Sequence, residues 1–181
     1  MKSAPKWVVV KVNGKIASVS LDYSGAIALL SEAKKDELEE LAVFHVSTEE
    51  LFKLSESLSW EDLSLKGSKF QLEIWKGLFD LTHGEGKQPQ LMSYTEFAAQ
   101  LGRRSGVRAV AHAIGKNPVC VIVPCHLIIP KESMDRLLEL ESENNLFKWK
   151  ALYTVDSKIN YGEYSLGSSL KRKLIGFHLA R

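Results

Sequence analysis

A thiol followed directly by an imidazole, Cys125-His126, lies in the apolar run V-C-V-I-V-P-C-H-L-I-I-P from Val119 to Pro130. Cysteine attacks only as its thiolate, so a nearby base or cation is the minimum condition for reactivity, and His126 is the candidate base. Residues adjacent on an extended strand point to opposite faces, which would separate the two side chains. Pro124 changes that expectation. It removes a backbone donor and favours a strand end or turn, where the alternation fails and both side chains share one pocket. A cysteine in an apolar run is nevertheless more often packing than chemistry, so the triplet has to be weighed with its surroundings.

The chain has 181 residues, 45% of them hydrophobic, enough for one ordinary domain or two small ones with a real core. It shows no apolar run long enough to cross a bilayer and no charged-then-apolar leader, so no membrane association is expected and a nuclear or cytoplasmic location is. Cys120 and Cys125 are the only cysteines. Five positions apart in one apolar run, they are poorly placed for a disulfide and insufficient for a structural zinc site, which fits a reducing compartment. No metal and no cofactor is expected. The formal charge of +2 hides an asymmetry: residues 1–65 hold 7 Lys+Arg against 11 Asp+Glu, and residues 66–181 hold 17 against 11. A basic second part is compatible with a polyanionic partner.

The elements that would position Cys125 read as an α+β chain. Trp7–Val12 and Ile16–Leu21 alternate partly and flank Asn13-Gly14, a dipeptide suited to a tight hairpin turn. Ser31–Glu40 and Thr48–Leu58 have leucines at helical spacing, and Ser47 to Glu50 reads as a helix start; His45 is isolated and suggests no chemistry. Phe70, Ile74, Trp75, Leu78 and Phe79 form one apolar helical face. The glycine-bearing loop 83–90 lacks the features of a phosphate loop. Ser93 to Glu96 has capping-box spacing and opens a short helix stopped by Gly102. A second helix, Gly106–Ile114, follows Arg103-Arg104-Ser105, with Val107, Val110, Ala111 and Ile114 inward and Arg108, Ala109, His112 and Ala113 outward. Two short helices and a tight turn make either a generic packing pair or a DNA-reading helix-turn-helix. Residues 131–163 look like an inserted surface element, partly helical around Met134–Leu140. A basic helix, Ser168–Arg181, ends the chain, with Leu170, Leu174 and Ile175 as its apolar side and no Asp or Glu after Glu163.

Taken in order, S-Y-T-E, then S-G-V-R-A-V-A-H-A-I-G-K-N-P, then V-P-C-H, then Y-S-L-G and a terminal helix resemble the O6-alkylguanine-DNA alkyltransferases over about residues 66–181. The resemblance implies a small N-terminal α/β scaffold domain, residues 1–65, and a C-terminal winged-helix-like domain, residues 66–181, carrying the reactive cysteine and interrupted by an insertion at about 131–163. It implies direct-reversal DNA repair, in which the alkyl group of O6-alkylguanine in double-stranded DNA passes irreversibly to Cys125 of a monomer. It makes His126 the base acting through a bridging water and Tyr94 the proton donor towards guanine N3. Arg108 becomes the side chain that fills the gap left by the rotated nucleotide, with Ser105, Gly106, Ala109 and His112 around it on the DNA-binding helix. Asn117 becomes the hinge asparagine, and Tyr164 and Ser165 the contacts to the base.

Two positions depart from the family pattern. The arginine expected after the histidine is Leu127, and the glutamate expected to orient the histidine is matched by His178. Some family members hold zinc through N-terminal cysteines and histidines; residues 1–65 contain no cysteine, so no such site is expected. Two other readings stay open at this point: a lesion-sensing relative that flips and holds the base without transfer, and a non-catalytic helix-turn-helix DNA-binding protein.

Overall fold

The computed structural model describes residues 6–28, 40–84, 86–144 and 159–180. The expected helix at Ser31–Glu40 lies almost wholly outside them.

Contacts divide the chain into two units, residues 1–85 with 116–124, and residues 86–115 with 125–181. These contact units cut the chain differently from the division near residue 65 that the sequence suggests. The helix α3 (Lys69–Phe79) counts with the first unit, and so does the apolar stretch 116–124. Val119 forms a parallel bridge with Val19, and the Val19 amide donates to the Pro118 carbonyl at 2.8 Å. These backbone bonds draw 116–124 to the hairpin, far from it in sequence.

In the first unit, β1 (Lys6–Val12) and β2 (Lys15–Ser20) form the expected hairpin, with Asn13 at φ 49° and Gly14 at φ 77° in the turn. A third antiparallel strand, β3 (Leu41–Ser47), pairs along the other edge of β1, giving the order β2-β1-β3. Being central, β1 buries Trp7, Val8, Val9 and Val10 in succession, which explains why its apolar pattern alternates so weakly. The helix α1 (Tyr23–Ala28) shares a core cluster with the sheet through Ala26, against Val8, Val10 and Ala17. The helix α2 (Thr48–Glu56) starts at a full capping box between Ser47 and Glu50, and Thr48 accepts a bond from the Trp7 indole at 3.1 Å. His45 is an exposed residue of β3.

The second unit contains β4 (Met92–Ser93), α4 (Tyr94–Gln100), α5 (Val107–Gly115), β5 (Ile128–Ile129), α6 (Lys131–Asn144) and α7 (Ser168–Leu179). Ser93 caps α4 reciprocally with Glu96: the Ser93 amide donates to Glu96 Oε2 at 2.8 Å and the Glu96 amide to Ser93 Oγ at 3.1 Å. Gly102, at φ 69°, ends that helix as expected, and a 3-10 turn at Arg104–Gly106 leads into α5. The parallel pair β4-β5 holds the start of α4 beside the segment that follows Cys125.

The expected surface insertion is corrected by its first half. Met134, Leu137 and Leu140 of α6 are buried with Leu91, Leu127, Ile129, Ile159, Tyr161 and Ile175 in one cluster. The spacing of those three residues, i, i+3 and i+6, gives α6 an inward face despite its many charges. Ser133 Oγ also donates to the Asn160 carbonyl, tying α6 to the chain entering the last helix. Residues 145–158 lie outside the described residues. No described helix is long and apolar enough to cross a membrane.

Candidate active site

The run Val119–Pro130 is not one strand. Val121 adopts φ 77°, and Cys120 and Val123 meet only in an isolated bridge, so the chain turns back on itself before Pro124. Asn117, in the first unit, braces that turn from within: its Nδ2 donates to the Val123 carbonyl at 2.8 Å, and its Oδ1 accepts from the Val119 amide at 3.0 Å. After Pro124 the second unit resumes with a single 3-10 turn, Cys125–Leu127. The strand alternation that would separate Cys125 from His126 therefore does not apply.

Cys125 is 4% exposed, and its Sγ lies 4.0 Å from the Tyr164 hydroxyl. His126 is fully buried. Its Nε2 lies 2.9 Å from Nδ1 of His178 on α7, with the ring centroids 5.1 Å apart. The position at which the family pattern expects a carboxylate is thus engaged with His126, but by an imidazole. Burial, reinforced by His178 and by Lys171, holds the His126 pKa well below the ordinary imidazole value, so the resting ring is neutral.

Tyr94, the first residue of α4, is pushed up to about 12 by burial, then by the charges of Cys125 and Glu163. It remains a protonated donor at any physiological pH. Its hydroxyl has little room behind it: a Cβ added at Gly162, which sits at φ 77°, would lie 3.5 Å from that oxygen and 3.3 Å from the Pro130 ring.

Lys171 is a buried cation beside these residues that no motif in the sequence marks. It is fully buried on α7, donates to the Ile128 carbonyl at 2.6 Å, and lies 5.6 Å from the Tyr94 ring centroid and 5.8 Å from that of Tyr164. Burial lowers its pKa to about 8, against an opposing pull from Cys125. A signal for it existed. Lys171, Leu174, Ile175 and His178 recur at i, i+3, i+4 and i+7, so the lysine and the histidine share the inward face of a helix whose basic residues read as solvated.

Among the residues expected to meet DNA, Arg108, Ala109, His112 and Ser105 are exposed, and Gly106 is half-buried. Ala113 is corrected: it is 2% exposed and packs inward with Val110 and Ile114, at the i, i+3, i+4 spacing of the buried face. Ser165 is exposed and Tyr164 half-buried. Leu127 is fully buried in the cluster that α6 completes. One unit thus brings together Cys125, His126, Tyr94, Tyr164, Lys171 and His178, whereas Asn117 belongs to the other.

Residues 69–141 match the model of the DNA-binding domain of 6-O-methylguanine DNA methyltransferase. That match covers less than half of the chain. A probable methylated-DNA–protein-cysteine methyltransferase of Acanthamoeba polyphaga mimivirus is 40% identical over 72 residues, which are 40% of this chain and 45% of the relative. The methylated-DNA–protein-cysteine methyltransferase of Haemophilus influenzae is 35% identical over 101 residues, 55% of this chain and 53% of the relative. The chain thus spans about half the length, or less, of these curated relatives. Among solved structures, the Mycobacterium tuberculosis OGT in complex with DNA is similar with a TM-score of 0.52 at 23% identity, covering 96% of this chain and 86% of that one. The O6-methylguanine-DNA methyltransferase of Pyrococcus kodakaraensis gives 0.55 at 19%, covering 96% and 91%. These likenesses establish the α+β fold, with a small N-terminal sheet and a largely helical C-terminal part.

Proposed function

We propose that this protein repairs duplex DNA by moving an alkyl group from O6 of guanine to Cys125, once per molecule. The observation that carries the reading is the placement of Cys125 in a turn beside Tyr164, followed by a buried histidine already engaged by α7, on the unit that bears the helix-turn-helix.

In this reading Arg108 enters the stack as the nucleotide rotates out. Ser105, Gly106, Ala109 and His112 lie against the minor groove, where a helix with small exposed residues approaches closely. Tyr164 and Ser165 contact the flipped base, since an alkyl group within the stack is out of reach of an in-line sulfur attack. The Cys125 thiol gives up its proton through His126, and sulfur attacks the alkyl carbon. The C–S bond forms as the C–O bond breaks, and the departing guanine takes a proton at N3 from Tyr94. A thioether is a poor leaving group, so the protein is consumed. Residues 1–65 serve as scaffold and residues 66–181 bind DNA and accept the alkyl group, with Asn117 as the hinge between helix and reactive turn. The protein acts as a monomer, in the nucleus or cytoplasm, without cofactor or metal.

Incubation with duplex DNA carrying O6-methylguanine, followed by mass measurement of the intact protein and its Cys125 peptide, tests this. One added methyl on Cys125, absent in Cys125→Ser, is the expected result. Binding without a mass change would favour a lesion sensor, and indifference to the lesion a plain DNA-binding protein.

A further inference from the structure

We propose that His178 is the second proton carrier of the site: it accepts at Nδ1 the proton that His126 releases from Nε2 when Cys125 ionises. The inference rests on Cys125 being the reactive thiol.

A carboxylate facing His126 Nε2 has one possible part, that of acceptor. It would hold His126 as the Nε2–H tautomer and, once His126 was charged, would leave the positive charge on that ring. An imidazole at 2.9 Å can do more, because its Nδ1 either accepts from or donates to the same nitrogen. Charging His126 itself is unfavourable here: the ring is fully buried and already faces the Lys171 cation. His178 lies on the same helix but is only partly buried. Passing the proton on moves the charge towards water and leaves His126 neutral.

The step balances. The thiol proton goes to His126 Nδ1, directly or through water, while the Nε2 proton moves to His178 Nδ1. The products are a thiolate, a neutral His126 carrying its proton on Nδ1, and a His178 imidazolium.

Of the charged groups near this pair, Lys171 of α7 acts on His126, and Cys125 on the adjoining turn acts on Lys171. Tyr94 of α4 couples to Cys125 and to Glu163, which precedes α7. At low pH His178 is already protonated, so it must donate to His126 Nε2. That forces His126 into the Nδ1–H form, which has no lone pair left for the thiol proton. Ionisation of Cys125 therefore loses its base as pH falls through the titration of His178.

The test measures two rates against pH over the range in which circular dichroism is unchanged: single-turnover methyl transfer from duplex DNA, and alkylation of Cys125 by iodoacetamide, which needs no DNA. Wild type should show an acid limb in both. His178→Glu should move that limb at least about one unit lower, because carboxylates titrate about two units below imidazole. His178→Phe should slow both reactions about tenfold or more near neutral pH and leave only the acid limb of the thiol's own ionisation, shifted to higher pH. A His178→Phe profile that overlays wild type would overturn the relay. Should the variants fail to fold, histidine nitrogen NMR of the wild type decides: the His126 proton should move from Nε2 to Nδ1 as His178 charges, and a proton fixed on Nε2 throughout would overturn it. Iodoacetamide profiles as predicted without any methyl transfer from DNA would uphold the relay and refute the repair reading. Methyl transfer unaffected by His178→Phe would do the reverse.

Discussion

At the scale of single residues, chemistry in this chain depends on which ionisable groups are buried together. Cys125, His126, Tyr94 and Lys171 sit in one unit, and burial is the largest influence on the pKa values of Tyr94, His126 and Lys171 alike. Lys171 gives the clearest consequence. Its folded-state pKa is about 8 and its ordinary value 10.5, so between those values the unfolded chain binds more protons than the folded one. Stability must then rise with pH across that window. Urea midpoints should increase between pH 8 and 10 in the wild type and stay flat in Lys171→Met. At neutral pH that variant should be the more stable protein, by an amount on the order of 3 kcal/mol. A flat wild-type profile would contradict the burial of Lys171. In the sequence Cys125, His126 and Tyr94 were legible because their types and order are distinctive. Lys171 was not, because one lysine in a helix with Arg172 and Lys173 looks like any other until the helix is given a face.

At the scale of elements, Leu127 and α6 meet in one core cluster. Leu127 stands where the resemblance expects a bracing arginine, and an apolar side chain at that turn needs an apolar wall. The helix α6, from the apparent insertion, supplies one through Met134, Leu137 and Leu140. Truncating Leu137 to alanine should cost about 2 to 5 kcal/mol, far more than a surface change, and thermal unfolding would measure it. A loss below about 0.5 kcal/mol would return α6 to the surface role read from its charges. The helix-turn-helix was legible down to its cap, because Ser93 and Glu96 bond locally and Gly102 stops the helix by its own conformation. Long-range pairing was not legible: neither the bridge of Val119 to Val19 nor the third strand Leu41–Ser47 leaves a local signature. For α5, Arg108→Ala should slow repair of duplex about tenfold or more, since extrusion costs a few kcal/mol that an inserted side chain offsets. Reaction with the free base O6-benzylguanine should change little. Equal losses on both substrates would remove Arg108 from the duplex.

At the scale of the whole molecule, the uneven charge of the chain matches the division of labour proposed for it. The excess of Lys and Arg lies in residues 66–181, the part that includes the exposed Arg103, Arg104 and Arg108. That asymmetry, the α+β class and the order of the motifs could all be read from the sequence. The division into units could not, because residues 116–124 join the first sheet through backbone bonds that no pattern of side chains announces. The central claim concerns stoichiometry: one cysteine, one alkyl group, no turnover. Titrating a fixed amount of protein with increasing duplex O6-methylguanine and counting lesions removed should give a plateau at one per chain, reached with Cys125 fully methylated. Removal continuing past one equivalent, or a plateau reached while Cys125 stays unmodified, would contradict the account.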